Sequence, residues 1–536
     1  MTRRIFLNED NASFYIGRPS EQMTEAGVRA LVDGYARGGQ LGGLLFCANV
    51  QRALFDSHVW EPLYIDYDPQ GPEDQPCLRW LPPSQRSLRQ GCHGRYWVHN
   101  LWLLRERGVD HLAVWLDQAR RRRGLEGWLT VRMNDCHHND REEAFWHSSF
   151  WKQHPGYRRV PYRNEGWIGG ALDYRHDAVV EHHLALIREL LQRYDMDGIE
   201  LDWVRFAAQT APGREAEAAP QLTRLMRSAR ELALEAAKRR GHEVSVGVRL
   251  PADFNAARAL GYDLFSWARE GLVDQIVLAP LFEQSFFEFD IQLWKEVFGT
   301  KARVLCQPEI CMDAHPKAGE AGRVLDYRLL YGGAAAALQR GADGIYLFNE
   351  CYRTHPNDRL SKIFNDPLST MLNSCGDLEM LRDLPRRHPV SYAQIVGPGQ
   401  PTASLLPQPL TKPNGGARDF NREGTALQVR FALGPVPSHS RVLLELGLDS
   451  EAQSCTEQQL TAWLNGVQLS AAVNPPQPPI RELGASPERA VAMPRIVSRL
   501  LRYDVPREAL HDDINIAEIE PMSVPGNLVW AELSVW

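Results

Sequence analysis

Asp197-Gly198-Ile199-Glu200-Leu201-Asp202-Trp203-Val204-Arg205-Phe206 is the stretch on which the fold turns. With the two-residue period of a strand, Gly198, Glu200 and Asp202 share one face while Ile199, Leu201 and Trp203 share the other. The apolar face suits packing on helices. The other carries two carboxylates, one above the other, and in a closed barrel would point inward and rise toward the mouth. Outward from this run lie seven more short, mostly apolar segments: Arg4–Asn8, Gly43–Ala48, Trp128–Met133, Val244–Leu250, Val273–Ala279, Arg303–Gln307 and Gly344–Phe348. Such runs read as strands buried on both faces. Helical patterns separate them. In Asp177–Tyr194, Val180, Leu184, Ile187, Leu190 and Leu191 form one stripe, with Asp177 expected as N-cap. Arg214–Arg240 is a longer helix, and Asp326–Gly341 opens on an Asp cap and stops at glycine. Eight strands alternating with helices predict an α/β fold, a (β/α)8 barrel over residues 1–385. A doubly wound sheet is the alternative, but Glu9-Asp10-Asn11, not a glycine-rich phosphate loop, follows the first strand.

From about residue 386 the texture changes. Gly397-Pro398-Gly399-Gln400-Pro401 and further prolines punctuate the chain. Ala426–Leu433, Arg441–Leu446, Leu460–Leu469 and Val529–Trp536 roughly alternate apolar and polar residues, and Asn465-Gly466 signals a hairpin. An antiparallel β-sandwich over 386–536 is expected, supporting the barrel without carrying chemistry.

Composition narrows the class. Of 536 residues, 44% are hydrophobic and 24% charged, the mix of a globular protein and not of a disordered or fibrous one. A net charge of −7 sets nucleic-acid binding aside. No apolar run is long enough to span a membrane. Met1–Asp10 turns acidic before a signal-peptide core could form, so the chain reads as cytoplasmic. The nine cysteines are scattered without a CxxC pair, which fits reduced thiols.

In a barrel, functional groups project from the C-terminal ends of the strands. In strand order those ends carry Asn8 and Asp10, then Asn49, then Arg132, Asn134, Asp135 and His137, then Glu200, Asp202, Trp203 and Arg205, then Arg249, Glu283, Glu309, and finally Asn349 and Glu350. Stacked carboxylates such as Glu200 and Asp202 perturb one another's pKa, which suits acid–base or nucleophilic work. Glu200 has a structural alternative as the partner of Arg132 or Arg249.

The 197–206 segment resembles the "DGIHLDYIRY" segment of bacterial glycoside-hydrolase-like barrel proteins, often labelled family-10-like glycosyl hydrolases. Leu172-Asp173-Tyr174, the helix Asp177–Tyr194 and Arg132-Met133-Asn134-Asp135 are similar to the same group, over roughly residues 1–385. The resemblance implies a sugar-cleaving barrel in which Asp202 matches the strand 4 nucleophile. Against the more distant family 18 chitinase pattern DGxDxDxE, Val204 occupies the position of the catalytic Glu, so an acetamido-assisted mechanism is not expected. Family 10 xylanases place carboxylates on strands 4 and 7, and Glu309 fits the second in outline.

Glycoside hydrolysis needs two carboxyl groups, and Asp202 with Glu309 is the expected pair, in a retaining mechanism; Glu309 has an alternative as an ordinary loop carboxylate, with Glu283 and Glu350 as substitutes. An aromatic-rich insert at about 136–170 includes Trp151 and Trp167, expected to stack on sugar rings, with a small satellite core under the long loop as the alternative. Asp135, His137, His138 and Asp140 look like metal ligands, yet no HxH or HExxH spacing supports that, so neither a metal nor a cofactor is expected. Arg132, Arg205 and Arg249 could hold a carboxylated or sulfated sugar, or satisfy Glu200 and Asp202. The expected partner is a carbohydrate substrate, with no nucleic acid and no membrane, and homo-oligomerisation stays open. The competing functions are a non-hydrolytic carbohydrate-binding barrel and a metal-dependent hydrolase or lyase built on the His137 cluster.

Overall fold

The computed structural model describes residues 4–10, 12–89, 92–122, 124–162, 166–280, 285, 287–313, 323–348, 367–390, 406–410, 426–476, 496–520 and 525–536. Eight parallel strands close into a barrel: β1 (Ile5–Glu9), β2 (Leu41–Cys47), β3 (Glu126–Arg132), β4 (Gly198–Asp202), β5 (Ser245–Pro251), β6 (Gln275–Ala279), β7 (Arg303–Cys306) and β8 (Gly344–Phe348). Each expected strand is present within two residues at either end. Closure comes from the parallel pairing of β8 with β1, where Ile345 lies opposite Ile5. The doubly wound alternative is thereby excluded.

The alternation read in β4 is obeyed. Ile199, Leu201 and Trp203 face the helices and join the large core between strands and helices. The inward layer contains Phe6, Leu45, Trp128, Val277, Leu305, Tyr346 and Phe348, a packed interior without a pore. Gly198 is required there, because a Cβ would lie 2.5 Å from the Trp128 ring. Below, Arg303 spans to Glu126 at 2.8 and 2.9 Å and covers the Phe6 ring at 4.2 Å, which closes the bottom of the barrel.

The helix Asp177–Arg193 buries the expected stripe. Its N-cap, however, is His176, and no side chain caps it. Asp177 sits in the first turn and instead accepts from Gln221 and Arg224 of the next helix, Glu215–Arg240. Asp326 does cap the helix Tyr327–Gln339, accepting from the Arg328 amide.

Beyond the barrel, two antiparallel sheets share one apolar core. In the first, Arg386–Pro389, Asn527–Val535, Val442–Leu448, Arg499–Val505 and Ser470–Ala471 lie in that order. The second runs Leu427–Ala432, Ile514–Ile519, Ala462–Leu464, Val467–Gln468. Asn465 and Gly466 both take positive φ, 49° and 81°, as the tight hairpin there demands. Among the described strands of these sheets, Arg386–Pro389, Gln408–Pro409, Ser470–Ala471, Arg499–Val505 and Ile514–Ile519 escape the sequence reading. No helix among the described residues is long and apolar enough to cross a membrane, and Cys47, Cys77, Cys92, Cys136, Cys306, Cys375 and Cys455 are free thiols.

Candidate active site at the barrel mouth

Asp202 ends β4, and three donors meet its two oxygens. Oδ1 accepts from the amides of Val204 (3.0 Å) and Arg205 (2.9 Å), and Oδ2 accepts from Arg249 Nη1 at 2.8 Å. The first two bonds exist because the chain turns back over the strand tip. The third exists because Arg249 lies opposite Asp202 in the β4–β5 register. Arg249 is itself clamped, its guanidinium 3.8 Å from the centre of the Phe348 ring and its Nε donating to Gln307 Oε1 at 3.0 Å. Gln307 Nε2 in turn donates to Glu309 Oε1 at 2.5 Å. A continuous chain of hydrogen bonds therefore runs from the tip of β4 through β5 to the segment after β7, with a carboxylate at each end. Both carboxylates are buried, Asp202 at 2% and Glu309 at 1% exposure.

One layer deeper, Glu200 Oε1 accepts from Thr130 Oγ1 (2.8 Å) and from the Tyr346 hydroxyl (2.7 Å). Asn8 Nδ2 donates to that same hydroxyl at 2.8 Å. Glu200 thus partners neither Arg132 nor Arg249. Burial, and after it the charge of Asp202, pushes its carboxyl up to about 7. This raised value has a sign. A carboxyl of ordinary pKa in the unfolded chain and about 7 in the folded one binds more protons when folded, so its contribution favours folding in acid and is lost as pH rises from about 4.5 through 7. Glu200→Gln should flatten the fall in stability over that window, as denaturant midpoints measured at several pH values would show. An unchanged profile would mean that another group sets it.

At the end of β3, Arg132 is held between Asp10 and Asp135, with Nη1 2.9 Å from Asp135 Oδ2. Asp135 Oδ1 accepts from the His137 amide at 3.0 Å and meets His137 Nδ1 at 2.8 Å. Burial alone would raise the Asp135 carboxyl, but His137, Arg132 and Arg205 outweigh it and hold it far below the usual carboxylate range. Arg205 Nη2 lies 3.0 Å from His137 Nε2. A guanidinium only donates, so that nitrogen accepts from it, and Nδ1 is the nitrogen that faces Asp135. Both ring nitrogens of His137 are thereby engaged. Among the described residues no group of three or more His, Cys, Asp or Glu is placed to hold a metal.

Of these groups, Asp10, Arg132, His137 and Arg205 line a cleft of about 640 Å³ together with Trp80, Trp97 and Trp146, while Asp202 and Glu309 lie outside that lining. Other expected site residues serve the scaffold. Asn49 and Asn134 bind backbone groups of neighbouring loops through both amide atoms, for instance Asn49 to both Arg132 N and O at 3.0 Å. Trp203 is fully buried between Tyr174 and Tyr262. Trp151, expected in the cleft wall, is also core at 1% exposure. Its Nε1 donates to Gly170 O at 2.7 Å, His147 stacks on it at 4.2 Å, and Arg158 covers it at 3.6 Å. Trp167 is 38% exposed and touches the rings of His137 (5.3 Å) and His138 (5.1 Å), which line the cleft. Glu283, Asn349 and Glu350 lie outside the described residues. Trp80 and Trp97 went unread as cleft residues. The only signal for them was the long connection between β2 and β3 on the catalytic side of the barrel.

The architecture is a TIM barrel with ionisable groups gathered at its C-terminal mouth. No family model and no curated protein matches the chain. Among solved structures, it is similar to alpha-L-fucosidase isoenzyme 2 from Paenibacillus thiaminolyticus, at 12% identity over 65% of this chain and 46% of that one, TM-score 0.34. The chain thus spans less than half of that enzyme. It is also similar to the PgaB (BpsB) glycoside hydrolase domain from Bordetella bronchiseptica, at 11% identity over 68% and 98%, TM-score 0.37. A family 18 N-acetylglucosaminidase from Paenibacillus barengoltzii matches at 11% identity over 68% and 99%, TM-score 0.35. Likeness at this level concerns the fold alone and does not single out family 10.

Proposed function

We propose that the protein is a glycoside hydrolase whose carboxylate pair is Asp202 and Glu309, acting by retention on an oligo- or polysaccharide. The observation that carries this reading is the hydrogen-bond chain Asp202–Arg249–Gln307–Glu309 across the mouth. It links two carboxyl groups, one at the tip of β4 and one just after β7, and the reaction requires two. Asp202 meets only donors, as suits the group that attacks or stabilises the anomeric carbon. Glu309, whose Oε1 accepts from a neutral amide, is assigned to protonating the leaving oxygen. Low exposure strengthens the field of both charges at a developing oxocarbenium centre. The family-10-like assignment rests on the β4 segment. A metal-dependent reading is disfavoured by the engagement of both His137 nitrogens within the protein.

The test is a panel of aryl glycosides and oligosaccharides, with product stereochemistry followed by NMR. Turnover with retention supports the reading, and binding without turnover by well-folded protein would move the chain to the carbohydrate-binding alternative.

The two tryptophans of the insert should separate. Trp151→Ala removes a fully packed indole and should cost about 3–5 kcal/mol of stability. Trp167→Ala should change stability by about 1 kcal/mol or less and weaken oligosaccharide binding by about tenfold, or ~1.4 kcal/mol. Denaturant melts alongside titration calorimetry check both. A Trp167 variant that binds like the parent would remove that ring from the cleft.

A further inference from the structure

We propose that the cleft takes a saccharide carrying an anionic substituent, a carboxylate or a sulfate, and that Arg141 reads the charge. The inference rests on the saccharide reading of the same cleft and names its substrate class. The described lining holds three arginines, Arg132, Arg141 and Arg205, against one aspartate, Asp10. Asp10 is already bridged to Arg132, whose other Nη is taken by Asp135. This excess of positive charge is local, since the whole chain carries −7.

Arg141 is exposed, and among the described residues its guanidinium makes no ion pair or hydrogen bond. Its backbone is nevertheless fixed. The turn His138–Arg141 closes with Arg141 N donating to His138 O at 2.8 Å. Buried His147 holds both ends, its Nε2 at 3.0 Å from His138 O and from Arg141 O. Gln51 Oε1 fixes the other nitrogen at 2.7 Å. His138 sits at φ 60°, a left-handed conformation costing a side-chain-bearing residue about 1–2 kcal/mol, so the surrounding contacts hold this turn in one shape. An arginine on so rigid a base presents a fork that matches a carboxylate or sulfate at little entropic cost. Trp80 and Trp146, in the same lining and packed on His138 at 4.6 and 5.1 Å, offer flat apolar surface for the ring that bears the anion.

The experiment is titration calorimetry of the full chain and of Arg141→Glu. The probes are an oligogalacturonate, a chondroitin sulfate oligosaccharide and the carboxyl-reduced and desulfated form of each. The expected result is at least tenfold tighter binding of one anionic probe than of its neutral form, weakened by salt as exposed charges are. Arg141→Glu should lose at least tenfold on that probe and leave the neutral forms unchanged. The preferred probe separates carboxylate from sulfate. Equal affinity for charged and neutral forms, an unaltered Arg141→Glu affinity, or no binding of either anionic probe at millimolar concentration overturns the proposal. Charge-selective binding without hydrolysis would fail the hydrolase reading and keep this one. Hydrolysis of neutral glycosides without charge preference would do the reverse.

Discussion

Asp202→Asn should lower kcat/KM by at least a thousandfold, about 4 kcal/mol of transition-state stabilisation. The same change should also lower the melting temperature. Asn keeps an oxygen for the amides of Val204 and Arg205, but its NH2 group would face Arg249 Nη1, now 2.8 Å from Asp202 Oδ2. Two donors would meet, and a guanidinium buried at 1% exposure would lose its carboxylate. Breaking such a pair costs about 3–5 kcal/mol. Lost activity alone would therefore be ambiguous. Two further variants resolve it. Asp202→Asn combined with Arg249→Gln removes both charges and should recover part of the stability and none of the activity. Asp202→Ala supplied with azide should form a glycosyl azide if Asp202 is the nucleophile of a retaining reaction. Turnover by Asp202→Asn within tenfold of the parent would sink the assignment.

What could be read from the chain divides by the range of the forces involved. The barrel strands were legible because burial on both faces writes itself into a handful of consecutive residues. The orientation of β4 was legible because glycine, glutamate and aspartate alternate with isoleucine, leucine and tryptophan. The partners of Glu200 were not. Thr130 and Tyr346 lie 70 and 146 residues away, and only barrel closure brings them to it. Aromatic content marked the insert, but composition carries no direction: Trp151 faces inward to Arg158 and His147, while Trp167 stays near the cleft. The strand Arg386–Pro389 was hidden for a related reason. Arg386-Arg387-His388 reads as a solvated linker, yet all three residues are buried. Arg387 is neutralised by Glu532, 145 residues later, at 2.7 Å.

That strand bears on the division of the chain at residue 385, and truncation there should leave a barrel that aggregates or melts at least ~10 °C lower. Arg386–Pro389 is the edge strand of the first C-terminal sheet, and it also lies directly on the barrel helix Tyr327–Gln339. Contact is so close that a Cβ on Gly332 would come within 2.1 Å of the Arg387 carbonyl oxygen. Leu329 and Ala336 of the helix, with Phe287, belong to the apolar core of the C-terminal sheets and not to that of the barrel. Removing residues 386–536 would expose them, and full exposure of a large apolar side chain costs about 1.5–3 kcal/mol. Ion pairs cross the same seam: Arg387 to Asp326 at 3.3 Å and Arg340 to Asp513 at 2.8 Å. A point variant isolates the polar part. Arg387→Met in the full chain leaves Glu532 and Asp326 buried without their shared cation and should cost about 3–5 kcal/mol. A soluble, monomeric 1–385 fragment with cooperative unfolding near the parental temperature would instead make the sheets a separable accessory domain, as the change of texture at 386 suggests.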